Sequence, residues 1–361
     1  MKNILVTGGA GFIGSNFVRL LAQIDEDFVV TNLDALTYAG SPENLKDLPE
    51  SFKHELIAGS ICDYDLVEKI IREREIDTIV HFAAETHVDR SIFGPGLFIQ
   101  TNINGTFNLL EAARKVWLTE NAGSGKDFLF HHVSTDEVYG TLSPDDPAFS
   151  EETPYSPNSP YSASKASSDH LVRAYHETYG LPVTITNCSN NYGPNQFPEK
   201  FIPVIILNAI NGKSIPVYGD GKQIRDWLYV EDHCEAIYHV IKNAKVGETY
   251  NVGGDNQPTN LEIIKLVCEI LDEMFPESEN TPHKSLITYV KDRPGHDRRY
   301  AMNIEKIGKE LGWEPRMNLE KGLRKTVTWY LNNSEWLQNI QKSDDLKEWE
   351  NKNYTEREKS V

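Results

Sequence analysis

"ILVTGGAGFIG", residues 4–14, decides the fold of this chain. Ile4–Thr7 is a short apolar run that reads as a strand. Gly8, Gly9, Gly11 and Gly14 follow, and a helical pattern starts at Phe12. The glycines satisfy both G-x-G-x-x-G and G-x-x-G-x-x-G. Glycine loops are often mere turns. Between a strand and a helix, this one lets bare backbone approach a pyrophosphate while helix N–H groups face the anion. The next strand, Phe28–Leu33, runs into Asp34, twenty residues after Gly14. An acid at that spacing accepts hydrogen bonds from an adenosine ribose and repels a 2′-phosphate, which predicts NAD rather than NADP.

Outward from this loop the first half of the chain alternates. Helices are predicted over Phe12–Ala22, Tyr64–Arg74, Pro95–Trp117 and Ser162–Tyr179. Strands are predicted over Thr78–Phe82, Phe128–Val133 and Val183–Asn187. Short, continuous apolar runs between longer amphipathic ones indicate βαβ units and a parallel sheet buried on both faces. The fold class is α/β: a Rossmann-type, doubly wound parallel sheet with a smaller mixed α/β substrate-binding lobe. Residues 1–187 form the NAD-binding part, with a returning segment at about 222–252. Residues 188–221 and 253–331 form the second lobe. Helices are expected near 203–211, 230–243, 261–274, 304–311 and 320–331. Residues 332–361 form a charged tail in which no chemistry is legible.

The composition excludes several functions. A net charge of −18 over 361 residues is unsuited to nucleic acid, whose phosphates need a Lys/Arg footprint. Cys62, Cys188, Cys234 and Cys268 are scattered, without zinc or redox spacing. His81, His87, His131 and His132 match no ligand motif, so no metal is expected. The chain enters its first strand at once and has no apolar run long enough to span a bilayer. A cytoplasmic protein with no membrane partner is expected.

Two further patterns carry chemistry. Tyr161 and Lys165 lie at i and i+4 near a helix start, on one face. A lysine ammonium beside a phenol lowers its pKa and makes it a usable base. Such a pair is common on solvated helix faces. It gains weight here from the loop at 8–14 and from "HVSTDEVYG", residues 132–140. There an apolar strand ends in Ser134, Thr135, Asp136 and Glu137. Adjacent carboxylates repel, and a charged turn would be the ordinary reading. Two carboxyls with opposed pKa values are also the usual means of having an acid and a base at neutral pH.

Together these residues resemble the extended short-chain dehydrogenase/reductase family. The similarity runs through "TGGAGFIGSNFV", "LDALTYAG", "HFAAETHVDRSI", "VSTDEVYG", "SPYSASKASSDHLVRAY", "TNCSNNYGPNQFPEKFIP", "GDGKQIRDWLYVEDH" and "DRPGHDRRYA". It covers nearly the whole chain. It is closest to members that dehydrate a hexose carried on a nucleoside diphosphate, on the way to deoxysugars such as rhamnose. The resemblance implies dTDP-glucose as substrate, NAD as a retained cofactor and a homodimer paired through the helices at 95–117 and 162–179. It implies oxidation at C4 with Tyr161 as base and Lys165 beside it. Glu137 is then the C5 base, Asp136 the C6 acid, and Thr135 a hydrogen-bond partner near C4.

The same resemblance places Gly8, Gly11, Phe12, Ile13, Gly14, Asp34, Ala35, Leu36 and Thr37 at the cofactor. Ser60, Ile61, Ala83, Ala84, Glu85, Thr101, Tyr161, Lys165 and Asn191 complete that set. Thr86, Thr135, Asn190, Lys200, Phe201, Pro216, Val217, Tyr218, Arg225, Asn260, Arg293 and His296 stand at the sugar-nucleotide site. Lys200, Arg225 and Arg293 suit a diphosphate on an acidic protein. Ser60 replaces the family's aspartate near adenine, which removes an acceptor there. Thr86 replaces a serine and keeps the hydroxyl. Related epimerases have a small or neutral residue after the Ser/Thr equivalent to Thr135. A silent NAD-binding scaffold would not need Thr135, Tyr161 and Lys165.

Overall fold

The computed structural model describes residues 1–292 and 297–341. Arg293 and His296 therefore lie outside the described residues, as does the tail beyond 341. The strands are β1 (Asn3–Thr7), β2 (Val29–Asp34), β3 (His54–Ala58), β4 (Thr78–His81), β5 (Leu129–Thr135) and β6 (Val183–Cys188). Then come β7 (Asn190–Tyr192), β8 (Ile215–Tyr218), β9 (Trp227–Tyr229), β10 (Thr249–Val252) and β11 (Ile287–Val290). Seven of them form one sheet in the order β10-β6-β5-β4-β1-β2-β3, and every pairing in it is parallel.

This order reverses between β1 and β4. Crossovers to the left and right of that point leave a crevice over the carboxyl ends of the two strands, the usual ligand position in such sheets. Helices cover both faces. Val18 and Leu21 of helix Phe12–Gln23 pack with Val230, Cys234 and Ile237 of helix Val230–Asn243 on one side. On the other, Val67, Leu109, Trp117 and Val172 come from three helical segments. The central strands are accordingly apolar: Ile4, Leu5, Val6, Ile79 and Val80 of β1 and β4 are all fully buried.

The structure differs from expectation where local pattern is weakest. The predicted helix at 95–117 is a rod running from Pro95 to Glu120, interrupted by π-helical stretches at Ile99–Gly105 and Arg114–Glu120. β5 runs two residues further than its apolar run, because Ser134 and Thr135 still pair with Asn187 and Cys188 of β6. β3 and β10 are too polar to stand out, and pairing with β2 and β6 creates them. β8 pairs with β11 and β7 with β9 in two small parallel ladders. A separate core of Ile202, Ile206, Ile263, Val267, Leu323 and Val327 packs beneath them. The segment after 332 contributes helix Ser334–Gln341, whose Trp336 and Ile340 join this second core.

Ile237 is the test of how helix Val230–Asn243 is held, since it is fully buried in the face shared with helix Phe12–Gln23. Ile237→Ala should cost about 2–5 kcal/mol by transfer and cavity terms. Denaturant unfolding measures this, and a loss below ~1 kcal/mol would mean the face is loosely packed.

Candidate active site

The loop after β1 is built so that nothing but backbone faces the crevice. Gly8 has φ +72, and a Cβ there would lie 2.7 Å from the Ala83 backbone nitrogen after β4. A Cβ at Gly14 would lie 2.3 Å from the Gly8 carbonyl oxygen. Any side chain at either glycine would force the first helical turn away from the loop. Helix Phe12–Gln23 begins at Gly11 with no side-chain cap, so its first N–H groups are left for a ligand. Asp34, at the end of β2, accepts from Ala10 N at 2.9 Å and Leu36 N at 2.8 Å. Burial raises its pKa above the ordinary carboxylate value, against those two donors. The cradle, the uncapped helix and the acid fit a dinucleotide.

These features line a cleft of about 430 Å3. Of the predicted cofactor residues, all but Leu36 border it. Leu36 serves through its backbone N–H to Asp34 and has φ +50. Ser60 borders the cleft too, and its hydroxyl accepts from Cys62 N at 3.1 Å, an intraloop turn. Thr86, Thr135, Asn190 and Lys200 of the predicted sugar-nucleotide set also border it. Phe201, Pro216, Val217, Tyr218, Arg225 and Asn260 do not. Phe201 stacks on Trp227, Val217 is buried in the second core, and Asn260 opens a helix. The Arg225 guanidinium covers the Tyr300 ring at 4.2 Å and donates to the Asp297 carbonyl.

Thr135, Asp136, Glu137, Tyr161 and Lys165 meet at the cleft floor. β5 delivers Thr135 at its last residue, and a 3₁₀ turn, Asp136–Tyr139, follows at once. The Thr135 hydroxyl receives the Glu137 N–H at 3.3 Å and donates to Asp136 Oδ1 at 3.3 Å. Asp136 is 2% exposed. Burial pushes its pKa well above the carboxylate range, the neighbouring Glu137 and Asp226 charges add to this, and Arg225 opposes it. Tyr161 is also buried, against Phe98, and burial and Glu137 raise its phenol while the Thr135 hydroxyl opposes them. Lys165 Nζ donates to the Val133 carbonyl at 2.9 Å.

The histidines are structural or adjacent to the site. His81 bridges Thr7 and Thr106 at 2.7 and 2.9 Å, and His131 bridges Thr184 and Thr186. His132 lies beside Lys165 and Asp169. Among the described residues, no group of three or more His, Cys, Asp or Glu is placed to hold a metal. No described helix is long and apolar enough to cross a membrane.

Several contacts had no signal in the sequence. Arg90, on helix Val88–Phe93, pairs with buried Glu199 at 3.0 Å and lies 3.7 Å over the ring of Tyr38, which borders the cleft. Asn44 is a junction. It donates to the Ala10 carbonyl of the glycine loop at 2.8 Å and accepts from Trp336 Nε1 at 2.7 Å and Asn195 at 3.3 Å. The helix at 334–341, expected to be inert, thus holds the cofactor loop through one amide. Only two long-range partners, near in space and about 290 residues apart in sequence, make that visible.

The sequence model of a family described as GDP-mannose 4,6 dehydratase matches residues 5–326. The chain belongs to this family. It is 54% identical to the dTDP-glucose 4,6-dehydratase of Shigella flexneri over 98% of this chain and 99% of that one. The Neisseria meningitidis dTDP-glucose 4,6-dehydratase is 55% identical, covering 94% of this chain and 96% of its own. Among solved structures, the Bacillus anthracis dTDP-glucose 4,6-dehydratase in complex with NAD superposes with a TM-score of 0.82 at 45% identity. It covers 94% of this chain and 100% of that chain. The Streptomyces venezuelae enzyme with NAD and TYD bound gives 0.83 at 43%, over 94% and 99%. A UDP-glucose 4-epimerase from Thermotoga maritima shares the fold, with a TM-score of 0.80, at 30% identity.

Trp336→Phe keeps an aromatic ring in the second core and deletes the N–H that Asn44 accepts. Release of NAD from the purified protein, followed by exchange with labelled NAD, should quicken about five- to tenfold, the loss of one hydrogen bond. An unchanged exchange rate would mean the cofactor loop does not depend on this contact.

Proposed function

We propose that this chain is an NAD-dependent dTDP-glucose 4,6-dehydratase, a hydro-lyase forming dTDP-4-keto-6-deoxyglucose. The observation that carries the mechanism is the meeting of Thr135, Asp136, Glu137, Tyr161 and Lys165 in the cleft that holds the dinucleotide cradle. An epimerase needs the tyrosine and lysine but has no task for an acid–base pair next to them.

Gly8, Gly11, Gly14 and Asp34 would hold the NAD. When bound, it supplies a reversible hydride acceptor. The chain's own residues handle protons. Tyr161 takes the proton of the C4 hydroxyl as that carbon gives up its hydride, with the Lys165 ammonium favouring the phenolate. Thr135 hydrogen-bonds to the same oxygen. The C4 ketone acidifies the C5 hydrogen, and Glu137 removes it. Asp136 gives its proton to the departing C6 hydroxyl, so water leaves and a C5–C6 double bond forms. Hydride returns to C6 and a proton to C5. Redox balance closes within one turnover.

Burial explains why two adjacent carboxyls can divide these tasks. Asp136 is almost wholly enclosed, and its burial favours the protonated form that a general acid needs. Its neighbour Glu137 is less enclosed. Lys200 and Thr86 would face the substrate, with Arg225 reaching it after rearrangement from its packing on Tyr300.

We further propose a homodimer. Ile92, Phe93, Leu97, Ile99, Phe107 and Tyr179 are each more than 40% exposed, and all lie on the segments Val88–Glu120 and Pro160–Tyr179. Sedimentation should give twice the chain mass, and Leu97→Asp with Phe107→Asp should give the monomer. A native monomer would contradict the dimer.

Substrate carrying deuterium at C4 tests the reaction. Deuterium should appear at C6 of the product, and its loss to solvent would contradict hydride return. Tyr161→Phe should abolish C4 oxidation. Asp136→Asn should slow water loss ~10²-fold or more while still permitting NADH formation. Glu137→Gln should suppress hydrogen exchange at C5 to a similar degree. Equal loss of oxidation in the Asp136 and Glu137 variants would mean that they bind substrate instead.

A further inference from the structure

Directly behind Lys165 lies a carboxylate that the steps above do not use. Asp169 follows Lys165 by one helical turn on the same face of helix Pro160–Tyr179 and is 2% exposed. Its Oδ2 accepts from Ser134 Oγ at 2.8 Å and from the Tyr155 hydroxyl at 3.0 Å. Its Oδ1 lies 3.1 Å from His132 Nε2, and the same nitrogen lies 3.4 Å from Lys165 Nζ. One ring nitrogen thus meets both groups, and a neutral imidazole serves only one of them, accepting from Lys165 or donating to Asp169. Burial and the Lys165 charge hold the His132 pKa well below its ordinary value, so the ring is neutral.

A buried ammonium with no counter-charge gives up its proton. Burial does lower the Lys165 pKa, and Asp169 is the largest influence against it. Burial likewise raises Asp169 to about 6, while Lys165 and the Ser134 and Tyr155 hydroxyls hold it down. Each of the two thus favours the ionised form of the other. The other titratable groups near Lys165 are Tyr161 on its own helix, His132 on β5, His81 on β4 and Cys188 on β6. His81 is kept neutral by burial, and the Cys188 thiol is pushed up to about 12. The carboxylates of Asp136 and Glu137 bear on Tyr161 from the following turn. Asp169 is thus the negative charge on the buried side of Lys165.

We propose that Asp169 is a positioning residue for C4 oxidation, the buried carboxylate one helical turn behind Lys165 whose charge favours the ammonium form of that lysine. Lys165 in turn keeps Tyr161 usable as a base. This rests on the dehydratase reading above.

The test is the pH dependence of NADH formation from dTDP-glucose in stopped flow, on cofactor-loaded protein whose fold is checked by thermal melting. In Asp169→Asn the basic limb should move to lower pH by about one unit or more, the usual effect of losing an opposite charge nearby. Asp169→Glu should return it towards the wild-type position. Asp169→Ser also removes the charge and should move the limb in the same direction as Asp169→Asn. It also serves if Asp169→Asn does not fold. A wild-type chain that oxidises dTDP-glucose, with an unmoved limb in every folded variant, overturns this inference alone. A wild-type chain that forms no NADH overturns the dehydratase reading and this inference with it.

Discussion

The contact on which the rest depends is the approach of the loop after β1 to the chain leaving β4. There is no room between Gly8 and Ala83, or between Gly14 and Gly8, for one carbon atom. That closeness brings the uncapped start of helix Phe12–Gln23 to the point where the sheet reverses. It lets Ala10 be held on both sides, its N–H by Asp34 and its carbonyl by Ser41 N and Asn44. From Asn44 the connection continues to Trp336 in the second core. The cofactor loop is thereby tied into both packed regions of the molecule.

Burial also sets the chemistry. The floor of the cleft concentrates ionisable groups in a region with little water, where small differences in surroundings separate their pKa values. Burial and neighbouring negative charge favour the protonated form of Asp136. Asp169 has two hydroxyl donors and a nearby ammonium, and its pKa rises only to about 6. Two buried aspartates are thus pushed to different extents for reasons visible in their immediate partners. Packing decides this, because the turn after β5 and helix Pro160–Tyr179 bury both side chains.

The parts legible in the sequence were those with local physical causes. Glycines that must turn tightly, an acid at strand-end spacing, and Tyr161 and Lys165 one turn apart all carry their reason within a few residues. So do the apolar runs of β1, β4 and β6. What could not be read depends on partners distant in the chain. β3 and β10 are strands because β2 and β6 accept them. Asp169 looks like any polar residue on a helix until His132 is found against it, and Trp336 belongs to an apparently featureless tail. The resemblance places Phe201, Pro216, Val217, Tyr218, Arg225 and Asn260 at the sugar nucleotide; they do not border the cofactor cleft, though the Arg225 charge bears on Asp136 at its floor.

The central claim is that the Asp136–Glu137 pair performs an elimination next to a ketone that is made in the same cleft and kept in the product. Its most direct test is incubation of the wild-type protein with dTDP-glucose in deuterated water, without added reductant, and product analysis by mass and NMR. The account predicts a 4-keto-6-deoxy sugar with one deuterium, at C5. A C4 epimer without deuterium would contradict it and leave the two carboxylates without a function.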